Sequence, residues 1–215
     1  MSSSIIVFGA AGRAGRAAVA EARSRGHRVT AVVRDPAAHP ELAAEAAGLG
    51  GLTAGDVTDP AAVARLAAGH DAAVAAAYAP SPDFFATAAG ALIEGLTTAR
   101  VPRLVSVGLA SVLPTASGAL LMDLPGYPQE YREFYLAHAA GTDVLRTAPE
   151  SLDWLVVSPS GDFDHQGGRT GRYALAPADA ADRISYPDLA VALLDEIDRP
   201  AHHRVHLGVR SPANP

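Results

Sequence analysis

The sequence predicts an α/β fold, namely a doubly wound parallel sheet with helices on both faces and a small C-terminal lobe. Short β-rich apolar runs alternate with longer alanine-rich segments, which is typical of βαβ units around a parallel sheet. A glycine-rich turn joins the first strand to the first helix. The 215 residues can bury one good core but hardly two. We therefore predict a single domain spanning residues 1–215.

The first half of the chain keeps this alternation. The predicted elements are strand 5–8, helix 13–25, strand 28–33, a short helix within 40–47, strand 52–54, helix 61–68, strand 72–77, helix 81–99 and strand 104–107. Gly26 closes the first helix. Asp59 and Pro60 are typical of an N-cap and a first helical residue, and Ser81 and Pro82 begin the long helix in the same way.

The alternation breaks after the fifth strand. The predicted elements are a loop over 109–128, helix 129–146, strand 153–157, an irregular Gly- and Pro-rich segment over 159–184, helix 187–198 and strand 205–209. A loop as long as 109–128 is often a lid or a binding segment. Its apolar residues could equally form a dimer interface or cover the core, and the protein is expected to be a monomer or homodimer.

Composition excludes several classes of protein. The net charge of −6 disfavours a general nucleic-acid or anionic-membrane binder, which needs a basic face. The chain has no cysteine, so disulfides, thiolate metal sites and cysteine nucleophiles are excluded. No signal peptide is visible, and no apolar run approaches the roughly 20 residues that span a bilayer. We expect a soluble, cytoplasmic protein.

The stretch SIIVFGAAGRAGRAAV, residues 4–19, predicts a phosphate site. Gly9 allows a sharp turn out of the strand, Gly12 allows backbone N–H groups to approach a pyrophosphate, and Gly15 allows the helix to pack closely on the sheet. The helix N-terminus offers unpaired donors to the anion. A glycine turn needed only for packing is the alternative. The predicted dinucleotide-binding residues here are Gly9, Ala11, Gly12, Arg13, Ala14 and Gly15.

The chain resembles the atypical branch of the short-chain dehydrogenase/reductase superfamily, whose fold is the Rossmann sheet. VFGAAGRAG looks like its opening, and VVRD (32–35), GDVTDP (55–60), RLVSVG (103–108) and LDWLVVSPSGDF (152–163) are further resemblances. Together they cover most of the chain. This branch includes NAD(P)-binding proteins similar to flavin and biliverdin reductases and to the nitrogen-regulator, NmrA-like, sensors.

The end of the second strand indicates which nucleotide binds. An acidic residue there accepts hydrogen bonds from a ribose 2′-hydroxyl, whereas an arginine pairs with a 2′-phosphate. Arg34 comes first and Asp35 follows it. We expect Arg13, in the glycine turn, to help Arg34 bind the phosphate. NADP(H) is therefore favoured, although Asp35 keeps NAD(H) open and both arginines could simply be solvated.

Two further segments should line the nucleotide site. The resemblance implies that Asp56 and Val57 lie against the adenine, with a turn role as the alternative for Asp56. Ala76 and Ala77 end the fourth predicted strand, where small side chains would allow the nicotinamide ribose to lie across the strand tips.

The expected catalytic residues differ from the usual set. Many short-chain reductases use a serine and a Tyr-x-x-x-Lys helix whose lysine lowers the tyrosine pKa. Ser106 fits the serine position. Aligning HAAGTDVLR (138–146) puts His138 at the lysine position and Phe134 at the tyrosine position. Ordinary alcohol dehydrogenase chemistry is therefore not expected.

The helix that replaces this pair carries Tyr131, Tyr135 and His138 at spacings of four and three, so they should share one face. If that face points at the nicotinamide, His138 could donate a proton or orient a substrate, because its unperturbed pKa is about 6.5. Aromatic packing against the sheet is the alternative. Ser106, Tyr135 and His138 are the candidate catalytic residues.

Hydride transfer needs no protein nucleophile, since the cofactor supplies the chemistry. The leading hypothesis is an NADPH-dependent oxidoreductase acting on a small conjugated or carbonyl substrate such as a quinone, flavin or enone. The substrate would lie between Ser106, the 109–128 loop, His138 and Phe163, with the C-terminal lobe as its binding lobe. A sensor that binds NADP(H) without turnover, and an epimerase or other isomerase, are the alternatives.

Other constellations are weaker. In HHRVH (202–206) only His202 and His206 share a face of the predicted strand, so a surface cluster is expected rather than a metal site. DFDH (162–165) is interpreted as a loop. No Gly-x-Ser-x-Gly or phosphate-binding Gly-Lys-Ser/Thr motif occurs, so hydrolase and ATPase functions lack support.

Overall fold

The computed structural model describes residues 2–42 and 51–213. The strands are β1 (Ser4–Phe8), β2 (Arg28–Val33), β3 (Leu52–Ala54), β4 (Ala72–Ala75), β5 (Arg103–Val107), β6 (Asp153–Pro159), β7 (Asp162–Asp164), β8 (Ala174–Ala176), β9 (Arg183–Ser185) and β10 (Val205–Arg210). The helices are α1 (Arg13–Ser24), α2 (Pro60–Ala67), α3 (Phe84–Ala99), α4 (Arg132–Arg146) and α5 (Tyr186–Asp198).

The main sheet has eight strands in the order β3-β2-β1-β4-β5-β6-β10-β8. Every neighbouring pair is parallel except β8, which runs antiparallel to β10. The strand order reverses between β1 and β4, and in such sheets ligands bind in the crevice at the carboxyl ends of the strands. The predicted doubly wound α/β fold is confirmed.

Helices cover both faces of the sheet because its strands alternate their side chains. Ile5 and Val7 of β1 belong to one core, which α1 and α5 cover. Ile6 and Phe8 belong to the other, which α2 and α3 cover together with the last turn of α4. The sheet is therefore buried on both faces, as expected for a parallel sheet.

Most predicted elements are present, with shifted ends. The helix predicted from 81 begins at Phe84 after a turn in which Ser81 O accepts from Phe84 N, and the helix predicted from 129 begins at Arg132. The strand predicted to reach 77 ends at Ala75. The short helix predicted within 40–47 is helical over 40–42, and its other positions lie outside the described residues.

The segment 159–184 differs from the prediction. It contains β7 and β8 and leads into β9, although the sequence predicts irregular structure there. Strands of three residues are too short to show an alternating pattern. β7 pairs with β9 in a separate two-stranded parallel sheet, and β8 extends the main sheet.

The loop over 109–128 packs against this segment. Leu113 and Leu121 are buried with Ala110 and Ala178 in a third, smaller apolar cluster. Backbone bridges join Pro114 to Leu120, and residue 115 to 178. Several apolar side chains of this loop therefore cover the core of the small lobe. Covering the core was one of the two predicted alternatives to a lid, and a dimer interface was the other. Along the described chain, no helix combines the length and apolar character that crossing a membrane requires.

Candidate cofactor groove and active site

A groove of about 620 Å³ lies at the carboxyl ends of β1, β2, β3 and β4. Eight of the predicted nucleotide-binding residues line it: Gly9, Ala11, Gly12, Arg34, Asp56, Val57, Ala76 and Ala77. Among the other lining residues, sequence reasoning did not assign His39, Thr58 or Phe84 to the site. The groove follows the switch point of the sheet, where the fold places a ligand.

Two of the glycines are required by the fold itself. Gly9 has φ of +78°, and a Cβ there would lie 2.5 Å from the backbone nitrogen of Ala77. A Cβ on Gly15 would lie 2.2 Å from the carbonyl oxygen of Gly9. Neither position can accept a side chain without moving backbone. The packing role expected for Gly15 is therefore present.

Gly12 is different because the protein leaves room for a side chain there. Its φ is −71°, and a Cβ would lie 3.5 Å from the nearest atom, the Gly9 carbonyl oxygen, which is ordinary contact. Gly12 is the N-cap of α1, supplies no capping side chain, and is followed by no acidic residue in the first turn. The first-turn amides of Arg13, Ala14 and Gly15 thus keep their donor capacity for an anion. The turn fits a pyrophosphate.

Arg34 and Asp35 line the groove at the end of β2. Arg34 is exposed and close enough to Asp56 to help lower that carboxyl's pKa, after the larger effect of hydrogen bonds from Thr58. One Asp56 oxygen, Oδ1, accepts from Thr58 N at 2.9 Å and from Thr58 Oγ1 at 2.7 Å, so the turn role is present. Asp35 accepts from Ala37 N at 3.0 Å and caps a short helical turn.

Arg13 does not join Arg34. Its Nη1 donates to His165 Nδ1 at 2.7 Å, and its guanidinium lies 6.0 Å from the ring centre of Tyr186. As the first residue of α1 it points toward the turn after β7, and it is absent from the groove lining. The expectation that both arginines face one phosphate is therefore wrong for the arrangement seen here. Ala14 also faces away, against the core beneath α1.

Ser106 lies at the end of β5, opposite Ala75 of β4. It lines a small cavity of about 60 Å³ together with Phe85, His138 and Thr142. The cavity adjoins the groove, since Val57, Ala77 and Phe84 line both. The structure therefore brings Ser106 and His138 together beside the predicted nicotinamide end of the groove.

His138 is a neutral base at physiological pH. Burial, followed by the influence of His206, lowers the pKa of His138 to about 3. Its ring centre lies 3.6 Å from that of Phe85 and 4.8 Å from that of Phe134. A proton donor with an unperturbed pKa, as the sequence suggests, is therefore wrong. A neutral imidazole can still donate its N–H to a substrate oxygen.

The predicted face of Tyr131, Tyr135 and His138 is divided. Tyr131 and Tyr135 line a separate cleft beside the loop over 109–128, whereas His138 lines the cavity at Ser106. Tyr135 is buried, and burial is the main reason its pKa is raised. Side chains three or four residues apart share one side of a helix, but here that side borders two different cavities.

His206 is a residue that sequence reasoning misplaced. It shares a 2.6 Å hydrogen bond with the fully buried Ser158, and burial lowers its pKa to about 4. A Cβ on Gly108 would lie 2.9 Å from its Nε2, so the ring packs beneath the end of β5. His202 and His203 pair instead with Glu196 and Asp153. Among the described residues no group of three or more possible ligands is arranged to hold a metal ion.

Phe163 does not face the cleft as expected. Its ring stacks on Tyr186 with centres 4.0 Å apart, and it packs on the core beneath α1. The DFDH segment is partly strand rather than loop, since Asp162–Asp164 forms β7. Because β7 pairs with β9, alternate side chains of β7 face opposite sides, and the side chain of Phe163 faces the core beneath α1.

A doubly wound sheet with an anion-ready glycine turn and a groove at its switch point defines a dinucleotide-binding protein, similar to the atypical short-chain dehydrogenases/reductases. Residues 9–200 match the sequence pattern of the NAD(P)H-binding family, and the chain belongs to that family.

Similar proteins span the whole chain. YwnB of Bacillus subtilis strain 168, described as uncharacterized, is 34% identical over 219 residues, covering 96% of this chain and 98% of that protein. A "putative epimerase" of Bacteroides thetaiotaomicron is 29% identical with a TM-score of 0.86, covering 100% of both chains. A "putative NADH-flavin reductase" of Streptococcus pneumoniae is 29% identical with a TM-score of 0.80, covering 98% of this chain and 100% of that one.

Proposed function

We propose that this protein is an NADPH-dependent oxidoreductase that reduces a small conjugated or carbonyl substrate, such as a quinone, a flavin or an enone. The observation that carries the proposal is the junction of two sites. The nucleotide groove meets the cavity of Ser106 and His138, because Val57, Ala77 and Phe84 line both. A similar protein named as an NADH-flavin reductase supports the same reaction class.

NADPH is preferred over NADH in this proposal because of the groove's adenosine end. Arg34 is exposed in the groove wall, where its guanidinium can pair with a 2′-phosphate. Asp35, the residue that would accept from a 2′-hydroxyl, already caps the turn at Ala37. NAD(H) is the less favoured cofactor.

A bound nicotinamide supplies the hydride, and the chain's residues supply orientation, a hydrogen-bond donor and exclusion of water. His138 holds an N–H next to two phenylalanine rings, in surroundings that keep the imidazole neutral. Ser106 adds a hydroxyl at the end of β5. With no tyrosine–lysine pair on α4, the proposal suits conjugated substrates that accept hydride readily.

The test is to mix the purified protein with NADPH and a panel of quinones, flavins and enones, and to follow absorbance in the nicotinamide band. Oxidation above the rate of free NADPH with the same acceptor is expected for at least one class. No turnover above that rate with any acceptor contradicts the proposal.

The missing tyrosine–lysine pair also favours a second candidate, a sensor that binds NADP(H) and signals to a partner without turnover. It predicts tight cofactor binding without consumption and a partner captured only in one cofactor state. The similarity to a protein named as an epimerase favours an isomerase, which predicts copurified cofactor and product without net oxidation. For all three functions we expect a cytoplasmic protein with a small-molecule ligand.

A further inference from the structure

A second cleft, of about 850 Å³, lies between the loop over 109–128, the segment 159–184 and the start of α4. Its floor includes Leu121 and Ala178, which belong to the small apolar cluster that joins the two segments. A backbone bridge between Thr115 and Ala178 joins the two walls. We call it the loop cleft. The cleft therefore has its own apolar support.

Aromatic rings form one wall of the loop cleft. The ring centre of Tyr135 lies 5.6 Å from that of Tyr127 and 6.5 Å from those of Tyr131 and Phe134. Rings at these separations offer faces and edges on which a flat ligand can stack. The wall therefore favours a planar, unsaturated ring system.

Hydroxyl groups lie within this wall. Ser111 is 2% exposed, and its Oγ lies 2.9 Å from the hydroxyl of Tyr127. Ser111 is also close enough to Tyr135 to oppose the effect of burial, which raises the pKa of that tyrosine. Ser111 thus stands between two tyrosines. We call these three residues the hydroxyl cluster.

Proton counting shows what the hydroxyl cluster can offer. Three hydroxyls carry three protons, and the hydrogen bond between Ser111 and Tyr127 uses one of them. At least one proton remains for an acceptor outside the cluster, and the oxygens retain lone pairs for a ligand donor. Such a cluster can bind a carbonyl oxygen and also the phenolic hydroxyl that reduction produces.

We propose that the loop cleft binds a neutral quinone ring, with one ring oxygen hydrogen-bonded to the Ser111–Tyr127–Tyr135 cluster and the ring stacked on the tyrosine wall. This inference rests on the proposed oxidoreductase function and names its substrate class. The rim carries Asp162, Asp179 and Arg183, whose mixed charges do not select an ion.

The position of the cleft suits the reaction. Tyr135 stands one turn before His138 on α4, and Leu109 of the cleft follows Gly108 of the Ser106 cavity in the chain. The cleft also approaches the nucleotide groove, because the ring centre of Phe134 in the cleft wall lies 5.8 Å from that of Tyr78 in the groove. Single-ring and two-ring quinones fit a cleft of this volume.

The test uses the soluble probe 2,3-dimethoxy-5-methyl-1,4-benzoquinone and protein saturated with NADP⁺, so that no reduction occurs and the nucleotide groove is filled. The absence of cysteine removes thiol addition to the quinone. Calorimetry measures the dissociation constant for the native protein and for Tyr127→Phe, Ser111→Ala and Tyr131→Phe. Tyr131 is the matched control, because it lines the same cleft, is 58% exposed and lies outside the hydroxyl cluster.

We expect Tyr127→Phe and Ser111→Ala each to weaken probe binding about five- to tenfold, the value of a lost hydrogen bond. Tyr131→Phe should bind within about twofold of the native protein, and NADPH affinity should be unchanged in all three. Circular dichroism and urea unfolding show whether each variant folds. If one of the two cluster variants does not fold, the other still tests the cluster.

Native affinity in both cluster variants, or no binding heat at millimolar probe, overturns the inference. NADPH oxidation by the same quinone is measured in parallel. If the native protein turns over the quinone and both cluster variants do so at the same rate, the cleft assignment is overturned and the proposed function stands. Cluster-dependent binding without turnover supports the cleft as a quinone site, and the proposed function is contradicted if the other acceptors of the panel also give no turnover.

Discussion

Single residues of the glycine turn separate what the fold needs from what a ligand needs. Gly9 and Gly15 meet backbone atoms at distances that exclude a side chain, so their presence is explained by folding alone. Gly12 meets nothing closer than 3.5 Å and has an ordinary negative φ. No contact among the described residues requires glycine there, which makes it the most informative position for testing the phosphate site.

Gly12→Ala should keep the native stability but weaken NADPH binding by on the order of tenfold or more, since the added methyl lies where the pyrophosphate approaches. Gly15→Ala is the contrasting variant. Its Cβ would overlap the Gly9 carbonyl, so we expect a loss of about 1–3 kcal/mol in the free energy of unfolding. Urea unfolding and calorimetry give both quantities, and an unchanged NADPH affinity in Gly12→Ala contradicts the phosphate assignment.

Arg34→Gln should weaken NADPH binding about 10- to 100-fold, because it removes a charge-assisted contact with the 2′-phosphate. NADH affinity should change little. Arg13→Gln is the matched control: Arg13 points to His165, away from Arg34, so any loss should be equal for the two cofactors. Dissociation constants for both cofactors decide the matter, and an equal loss in Arg34→Gln rules out the 2′-phosphate role.

His138 should make stability depend on pH. Its folded pKa of about 3 lies below the unfolded value near 6.5, so the unfolded chain binds a proton first as the pH falls. The contribution of His138 is present above about pH 6.5 and is lost toward pH 3. By pH 5 it should lower the free energy of unfolding by up to about 2 kcal/mol.

Urea unfolding between pH 7 and 5 tests this. His138→Asn should flatten the pH dependence relative to the native protein, whereas His203→Asn, at an exposed ring, should not. Equal slopes in the native protein and His138→Asn mean that the imidazole is not held neutral.

The residues at the strand ends and in the glycine turn could be predicted from the sequence, whereas the directions of several other side chains could not. The groove contains eight predicted residues because strand ends and glycine turns converge in this fold. The directions of Arg13, Phe163 and His206 could not be predicted, since each depends on β7, β9 or β10 packing beside it. Contacts between distant segments leave no periodic signal in the chain.

At the scale of elements, caps and turns decide where helices and strands end. Asp59 caps α2 through Ala61 N and Ala62 N, as predicted. The predicted cap at Ser81 is replaced by Asp83, because the chain makes one more turn before α3. The three short strands β7, β8 and β9 were missed because their pairing partners, not their own sequences, define them.

The packing of α3 on α2 provides a prediction with an internal control. A Cβ on Gly95 would lie 2.6 Å from the side chain of Val63, whereas a Cβ on Gly90 of the same helix meets nothing within 4 Å. Gly95→Ala should cost about 1–3 kcal/mol of unfolding free energy. Gly90→Ala should gain about 0.5–1 kcal/mol through helix propensity. Equal effects in urea unfolding contradict this packing.

For the whole molecule, alternation of strands and helices was enough to predict the sheet and its switch point. The strand order from β3 through β1 to β6 is what the βαβ pattern implies. The lobe was anticipated as two substrate-side loops, and those loops do line one cleft. Their internal structure was not anticipated, since its small core joins residues more than 50 positions apart.

The most direct measurement is a calorimetric titration of the purified protein with NADPH and, separately, NADH. Free amides at the start of α1 and a guanidinium at the end of β2 predict saturable binding, with NADPH the tighter ligand. Absence of heat from both coenzymes at millimolar concentration contradicts the assignment of the groove.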